Sequence, residues 1–230
     1  MARARVATIE TPDGPAELPK EHGVVVSFPA SHMDLDVDDW GRDVHAVRSA
    51  ARLAAVRWAP ILGGLEHVRD EGPAVLVCNT RHLALSPLLV TWSVGRALDR
   101  PLRFVGVPDV APFGPVLRRL GGLLGNPDEV DIALAAGEIV VIGAAPTRDT
   151  RRAGVTPVRL LEAAWRRHVP VLPVAVLSSP LDRRVRIEIG TTVVPKRRRQ
   201  GPLGPIELAV AVRSAIQHLL DETASPSVLV

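Results

Sequence analysis

The chain has 230 residues, enough for one domain with a sizeable core, and its 47% hydrophobic and 23% charged residues are ordinary for a globular protein. The formal net charge of +3 and the 3% of aromatic residues are too low to indicate a nucleic-acid-binding protein, which needs a basic face and stacking side chains. The cations are nearly all Arg, whose guanidinium binds phosphate or carboxylate. This mild positive charge therefore suits an anionic membrane surface or an anionic substrate.

The sequence also bounds the compartment and the cofactors. The single cysteine, Cys78, excludes an intrachain disulfide and fits a reducing cytosol. The basic segment Met1–Arg5 is not followed by the apolar stretch of a secretory signal, and no uncharged run reaches the roughly 20 residues that span a bilayer. No metal-type Cys/His spacing and no phosphate-binding glycine loop is present. We therefore expect a cytoplasmic protein, able to contact the inner face of the membrane peripherally, with no metal and no resident cofactor.

The N-terminal part of the chain differs from the rest. Residues 1–22 contain three prolines and no hydrophobic period, which predicts a disordered tail ahead of a single α/β domain at 23–222 and a C-terminal tail at 223–230. An Ala-rich helix is predicted at Val44–Ala59, and a cluster of aspartates precedes it. They are Asp34, Asp36, Asp38, Asp39 and Asp43. Carboxylates are favoured near the start of a helix; the alternative, a calcium loop, lacks its central Gly and terminal Glu.

The rest of the domain alternates strands and helices. Strands are predicted at Ala74–Cys78, Arg103–Val107, Glu138–Ile142, Val169–Val176 and Val185–Ile189. Helices are predicted at Pro87–Leu98, Pro115–Leu120, Pro127–Gly137, Pro157–His168 and Gly204–Glu222. Asn126, Thr156 and Ser86 each precede a proline, which is typical of a helix N-cap followed by Pro at the first helical position. This order, with apolar β-branched strands, predicts an α/β fold with a mainly parallel or mixed central sheet and helices on both faces.

Polar residues follow the first of these strands. The buried run ending at Cys78 continues as Asn79-Thr80-Arg81-His82 and then enters a helix. In α/β folds ligands bind at the carboxyl ends of the strands, so this loop is the first candidate site. The Cys78 thiol lies inside the apolar run, which favours a packed side chain over a nucleophile.

These segments resemble the glycerolipid acyltransferase family, the PlsC-like acyltransferases. The family has a strand leading into Asn-His-x-Ser-x-x-Asp-Pro, and Pro73–Asn79 resembles that strand and its Asn. Arg103–Val107, Pro112–Gly122 and Val169–Ala175 are similar to later family segments, the last of them apolar-Pro-apolar-x-Pro-Val-Ala. The resemblance implies the family fold. It also implies transfer of an acyl chain from acyl-CoA or an acyl carrier protein to the hydroxyl of a lysolipid.

The family's catalytic pair is a His and an Asp five positions apart, with the His as general base and the Asp as its orienting partner. If Asn79 is aligned, these positions hold Thr80 and Leu85. If the following proline is aligned instead, they hold Arg81 and Ser86. Neither register keeps the pair. His82 lies next to both registers, either as a relocated base or as an inert loop residue. The chain is therefore either an active acyltransferase or a non-catalytic relative that binds an acyl lipid or an acyl carrier.

A second family motif, Phe-Pro-Glu-Gly-Thr-Arg, appears here as Ile142–Arg148. The resemblance implies that Thr147 and Arg148 face the acceptor phosphate, whereas Ala145 stands where the family has its Glu. Arg81 and Arg148 both follow predicted core strands. We expect them to share one crevice as an anion clamp, the alternative being two exposed arginines in an Arg-rich protein.

Overall fold

The structure is a computed structural model that describes residues 37–80, 85–107, 113–149, 151–178, 183–194 and 201–223. Its helices are α1 (Val44–Arg57), α2 (Ser86–Ala97), α3 (Phe113–Arg119), α4 (Pro127–Ala135), α5 (Val158–Arg167) and α6 (Leu203–Thr223). Its strands are β1 (Ala59–Gly63), β2 (Ala74–Cys78), β3 (Leu102–Val107), β4 (Gly122–Leu124), β5 (Ile139–Gly143), β6 (Val171–Ser178) and β7 (Arg184–Ile189). The predicted N-terminal tail lies outside the described residues, and the domain boundaries stay predictions.

The seven strands form one mixed sheet in the order β1-β7-β6-β2-β5-β3-β4. Five neighbouring strands, β6 to β4 in that order, are parallel; β7 is antiparallel to β6, and β1 is parallel to β7. The predicted α/β fold with a mainly parallel or mixed sheet is confirmed. A parallel pair needs a crossover between its strands, which is why helices separate most of the strands along the chain.

Helices cover both faces of the sheet. Side chains of α4, α5 and α6 pack on the face that carries Val75 and Val77, and α2 packs on the face that carries Leu76 and Cys78. Successive side chains of a strand point to opposite faces. Since β2 lies at the centre with a helical layer on each side, all five of its residues are buried. This position explains why its sequence is a continuous apolar run rather than an alternating one.

Two strands were not predicted. β1 begins two residues after α1 and contains Pro60, which directly follows the helix predicted at Val44–Ala59. Proline is tolerated there because β1 is an edge strand, where a missing N–H costs no ladder hydrogen bond. β4 has three residues and pairs with β3 at the opposite edge. β1 contains a proline and buries none of its residues, and β4 has only three residues, so neither carries the continuous apolar run that marks a buried strand in sequence.

Two of the three predicted N-caps are wrong. Asn126 caps α4 as expected, and its side chain accepts a hydrogen bond from the Asp128 N–H. Ser86, however, is the first residue of α2 and is fully buried, with Leu85 at the cap position. At α5 the cap position is taken by Pro157, and the buried Thr156 hydroxyl has no partner in the described ranges. The cap thus lies one residue before the predicted position at α2 and one residue after it at α5.

The aspartate cluster divides into separate roles. Asp43 is the N-cap of α1 and accepts hydrogen bonds from the His45 and Ala46 N–H groups. Asp38 binds Arg103, a strand residue that is only 2% exposed. No group of three potential metal ligands occurs within the described ranges, and the calcium-loop alternative finds no support there.

Arg103 is the largest fully buried charge in the described core, and it joins three segments. Its Nη2 lies 2.5 Å from Asp38 Oδ2 and 3.2 Å from Glu138 Oε1, and its guanidinium lies over the Trp40 ring. Partial burial acts to raise the pKa of Asp38. The Arg103 hydrogen bond, together with the Arg42 N–H bond, outweighs it and holds this pKa below its ordinary value of 3.8. Asp38 thereby ties the chain before α1 to the amino end of β3.

The Asp38→Asn variant tests this link. Replacing the carboxylate leaves the buried Arg103 paired with Glu138 alone, so we expect a loss of about 2–3 kcal/mol in the free energy of unfolding at pH 7. Because the pKa of Asp38 is lowered in the folded state, its contribution is present above the ordinary pKa and lost as pH falls through the folded-state pKa. Urea unfolding at pH 7 and at progressively lower pH should therefore show the two proteins converging in acid.

The matched control is Asp131→Asn, which removes a carboxylate paired with the exposed Arg166 and Arg167. We expect this variant to unfold almost as the wild type does, because surface pairs contribute little. An equal effect of the two variants at pH 7 would contradict the account of Asp38.

Candidate functional site

The carboxyl ends of the five parallel strands meet at one edge of the sheet, as the strand directions require. At its centre, β2 and β5 lie side by side and deliver Asn79 and Ala144 to neighbouring positions. The helix α2 begins at the same edge, and its cap residue, Leu85, supplies no side-chain hydrogen bond. We refer to this region, formed by 79–80, 85–86 and 143–149, as the carboxyl edge.

Asn79 has a structural role that the sequence did not reveal. It is 2% exposed, and its side-chain amide pairs with the backbone of Val176 in β6. Its Nδ2 donates to the Val176 carbonyl at 3.0 Å, and its Oδ1 accepts from the Val176 N–H at 2.7 Å. The amide thus acts as one more rung between β2 and β6 after β2 has ended. Both polar ends of the buried side chain are satisfied.

The loops that follow β2 and β5 are joined directly. The Thr80 hydroxyl donates to the Ala144 carbonyl, and the Ala144 N–H donates to the Cys78 carbonyl at 2.8 Å. Gly143 lies between them and the start of α2, since a Cβ there would approach Pro87 Cγ to 2.9 Å. The start of α2 and the two loops therefore form one closely packed unit.

Thr147 and Arg148 lie in the loop after β5, and both are exposed. The Thr147 hydroxyl donates to backbone carbonyls of its own loop, to Asp149 at 2.7 Å and Arg152 at 3.2 Å. It therefore shapes the loop, whereas the Arg148 side chain has no hydrogen bond or ion pair within the described ranges. Of the two residues, Arg148 is the one that is available to an anionic ligand.

Side chains of α6 hold the same loop in place by hydrogen bonds. The Gln217 side chain accepts from the Ala153 N–H at 2.9 Å and donates to the Arg151 carbonyl at 3.0 Å, and Arg213 donates to the Ala153 carbonyl. Close backbone contact completes the arrangement, because a Cβ on Gly154 would lie 1.7 Å from the Ala145 carbonyl oxygen. None of these contacts carries a recognisable sequence signal, since each joins segments far apart in the chain.

Arg81 and His82 lie outside the described residues. The shared crevice of Arg81 and Arg148 stays a prediction. The described positions of the two possible dyad registers carry no base and no carboxylate: the Thr80 hydroxyl binds a backbone carbonyl, Leu85 is exposed, and Ser86 is buried.

Cys78 is a packed side chain, as expected. This last residue of β2 is fully buried on the face of the sheet that α2 covers, and burial raises the pKa of its thiol to about 12. A thiol that stays protonated and inaccessible at neutral pH is not a nucleophile.

Three cavities lined by described residues lie away from the carboxyl edge. Cavities of about 910, 930 and 540 Å³ are lined by described residues, at the ends of α5 and α6, along α6, and between α1 and α2, respectively. None of the three includes Thr147 or Arg148. The cavity between α1 and α2 is lined by several arginines. They come from separate segments, so the sequence does not show that they lie close together. None of the helices in the described ranges combines the length and hydropathy that crossing a bilayer requires.

Comparison with known proteins identifies the fold. The sequence matches no protein-family model and no curated protein. Among solved structures it is similar to the 1-acyl-sn-glycerophosphate (LPA) acyltransferase PlsC from Thermotoga maritima, with a TM-score of 0.56 and 16% sequence identity over 79% of each chain. The described architecture is thus an acyltransferase-like α/β fold.

The Gly154→Ala variant tests how the carboxyl edge is built. Its Cβ would collide with the Ala145 carbonyl, so we expect the loop after β5 to shift and the protein to lose roughly 1–3 kcal/mol of stability. Thermal unfolding and proteolysis between 144 and 155 would report both effects. Gly125→Ala is the matched control, because nothing lies within 4 Å of a Cβ at that position. Equal behaviour of the two variants would show that the backbone contact at Gly154 does not constrain the loop.

Proposed function

We propose that this chain is an acyltransferase-like protein that binds an acyl thioester or a lysolipid at the carboxyl edge and lacks the ordinary transfer activity of glycerolipid acyltransferases. The proposal rests on one observation. On this acyltransferase-like fold, the described positions that would hold the catalytic His and Asp carry neither residue. The edge is built and tightly connected, yet Thr80, Leu85 and Ser86 offer neither a general base nor an orienting carboxylate. Loss of a base and its partner typically costs several orders of magnitude in rate.

Binding at this edge is supported by its charges and its shape. The side chain of Arg148 is exposed and unpaired within the described ranges, and a guanidinium suits the phosphate of a lysolipid or of a thioester donor. The 12-residue helix α2 starts here with no side-chain cap from Leu85, so its positive end favours an anionic group at the same edge. Leu85 and Phe113, at the starts of α2 and α3, are 37% and 66% exposed and offer apolar surface for an acyl chain.

The second candidate function is acyl transfer itself, with His82 as a relocated general base. Its support is position: His82 lies two residues beyond Thr80, whose hydroxyl is bound at the centre of the edge. The donor would be acyl-CoA or an acyl carrier protein, and the acceptor a lysolipid hydroxyl. His82 would need a carboxylate from another segment to orient its imidazole. In either function the protein works in the cytoplasm with peripheral contact at the inner face of the membrane.

Two measurements on the full chain separate these functions. Turnover is assayed with acyl-CoA or acyl carrier protein as donor and lysophosphatidic acid as acceptor, and binding of acyl-CoA below its micellar concentration is measured by calorimetry. We expect turnover near background and saturable binding that weakens about tenfold in Arg148→Gln, because one charge-assisted contact is lost. Arg159→Gln, an exposed arginine on α5 away from the edge, should bind as the wild type does.

Robust turnover that His82→Ala abolishes would establish the second function and overturn the first. Absence of both turnover and saturable binding would overturn the proposal as a whole.

A further inference from the structure

A basic cavity lies between α1 and α2, at the amino end of β3 and away from the carboxyl edge. Its volume of about 540 Å³ is in the range of small-molecule sites. Five arginines line it, and the single acidic residue on its wall is Asp99. The arginines are Arg42, Arg48, Arg52, Arg96 and Arg100. This is a strong local excess in a chain whose formal net charge is only +3.

Four of the five arginine side chains have no hydrogen-bond or ion-pair partner within the described ranges. Arg100 donates to the backbone carbonyls of Asp70, Gly72 and Gly137, and this role is structural. The side chains of the other four form no hydrogen bond or ion pair within the described ranges. Partial burial and the nearby Arg103 charge lower the pKa of Arg42, and together they outweigh the opposing effect of the Asp38 and Glu138 carboxylates. Positive charges gathered without partners are unfavourable, and an anion between them would relieve the repulsion.

Neutral donors lie on the α2 side of the same cavity. Thr91 is 3% exposed, and its hydroxyl has no hydrogen-bond partner in the described part of the chain. The indole N–H of the adjacent Trp92 is also buried without a partner. Both residues line the cavity. Buried polar groups are rarely left unsatisfied in folded proteins, so two unpaired donors beside uncommitted arginines point to an acceptor-rich ligand.

Helix α1 forms one wall of this cavity, as a helix that covers a binding site would. None of its 14 residues is buried, and it is anchored at its ends, by the Asp43 N–H bond to the Arg119 carbonyl and by Trp58, which packs against the core. Arg48 and Arg52 are one helical turn apart and so share a face. A helix that buries no side chain in the protein gains little from packing, and a ligand held between it and α2 would supply the missing contact.

We propose that the cavity between α1 and α2 binds the phosphate group of an organic phosphate monoester. Such a group offers up to two negative charges and several acceptor oxygens, which matches four free guanidinium groups and two neutral donors better than the single charge of a carboxylate does. Apolar wall residues, among them Val47, Leu102 and Leu120, suit the carbon part of an ester. The phosphate belongs either to a soluble ester or to a lipid headgroup, and the two sources are distinguished by experiment.

The test uses the full-length protein at fixed ionic strength. Calorimetric titration with glycerol 3-phosphate measures the soluble source. Sedimentation with phosphatidylcholine vesicles, with and without phosphatidic acid, measures the lipid source. We expect saturable binding to at least one of them. We also expect Arg48→Gln/Arg52→Gln to weaken that binding about tenfold or more, because two charge-assisted contacts are lost. Arg151→Gln/Arg159→Gln removes the same charge elsewhere and should bind as the wild type does.

Trp92→Phe provides an independent variant, since it removes the indole N–H and keeps an aromatic ring. We expect it to weaken binding about threefold to tenfold, the effect of one neutral hydrogen bond, and to keep the circular dichroism of the wild type. The proposal is overturned if neither probe binds. It is also overturned if the wild type and both cavity variants bind equally well. The carboxyl edge contains none of these residues, so failure here would leave the proposed function standing, and the reverse also holds.

Discussion

The amide of Asn79 extends the pairing of β2 and β6 beyond the end of the strand, and the geometry of the carboxyl edge depends on that link. Because both hydrogen bonds to Val176 are short and buried, the chain leaves the sheet at a fixed point. Thr80 can then reach the Ala144 carbonyl, and Pro87 packs beside Gly143. One buried amide thus sets where the β2 loop, the β5 loop and the start of α2 meet.

This constraint accounts for an edge that is closely packed although its described residues Thr80, Leu85 and Ser86 supply neither a general base nor a carboxylate. The contacts that shape it are made by backbone groups, by Asn79 and by the small residues Gly143 and Gly154. None of them requires a catalytic His or Asp. The scaffold can therefore persist when the reacting groups are replaced, and a fold shared with an acyltransferase does not by itself carry the activity.

The sequence predicted the centre of the fold better than its margins. Buried strands such as β2 and β5 are marked by continuous apolar residues, and their position between helical layers dictates that pattern. The edge strands carry no such mark, because β1 contains a proline and buries none of its residues and β4 has only three residues. The capping pattern at Ser86 is a local signal, and it does not reveal that the Ser86 side chain is fully buried in the first turn of α2. The buried ion pairs of Arg103 carry no local sequence signal, because its partners Asp38 and Glu138 are 65 and 35 residues away.

The candidate site was predictable only in outline. Strand order and the rule for parallel sheets place the loops after β2 and β5 together, and the structure joins Cys78 and Thr80 to Ala144 there by hydrogen bonds. The arginines of the cavity between α1 and α2 come from three separate segments, and only the pair Arg48 and Arg52 shares a face that periodicity can reveal. Their convergence depends on how α1 lies over α2, which local sequence does not encode.

The central claim is that the carboxyl edge is where this fold receives its acyl ligand. Hydrogen–deuterium exchange of the full chain, with and without acyl-CoA below its micellar concentration, tests it most directly. We predict slower exchange in peptides that cover 79–90 and 143–155, with the groove along α6 unchanged. Protection confined to 190–194 and 203–222 would place the ligand in that groove instead and would contradict the account.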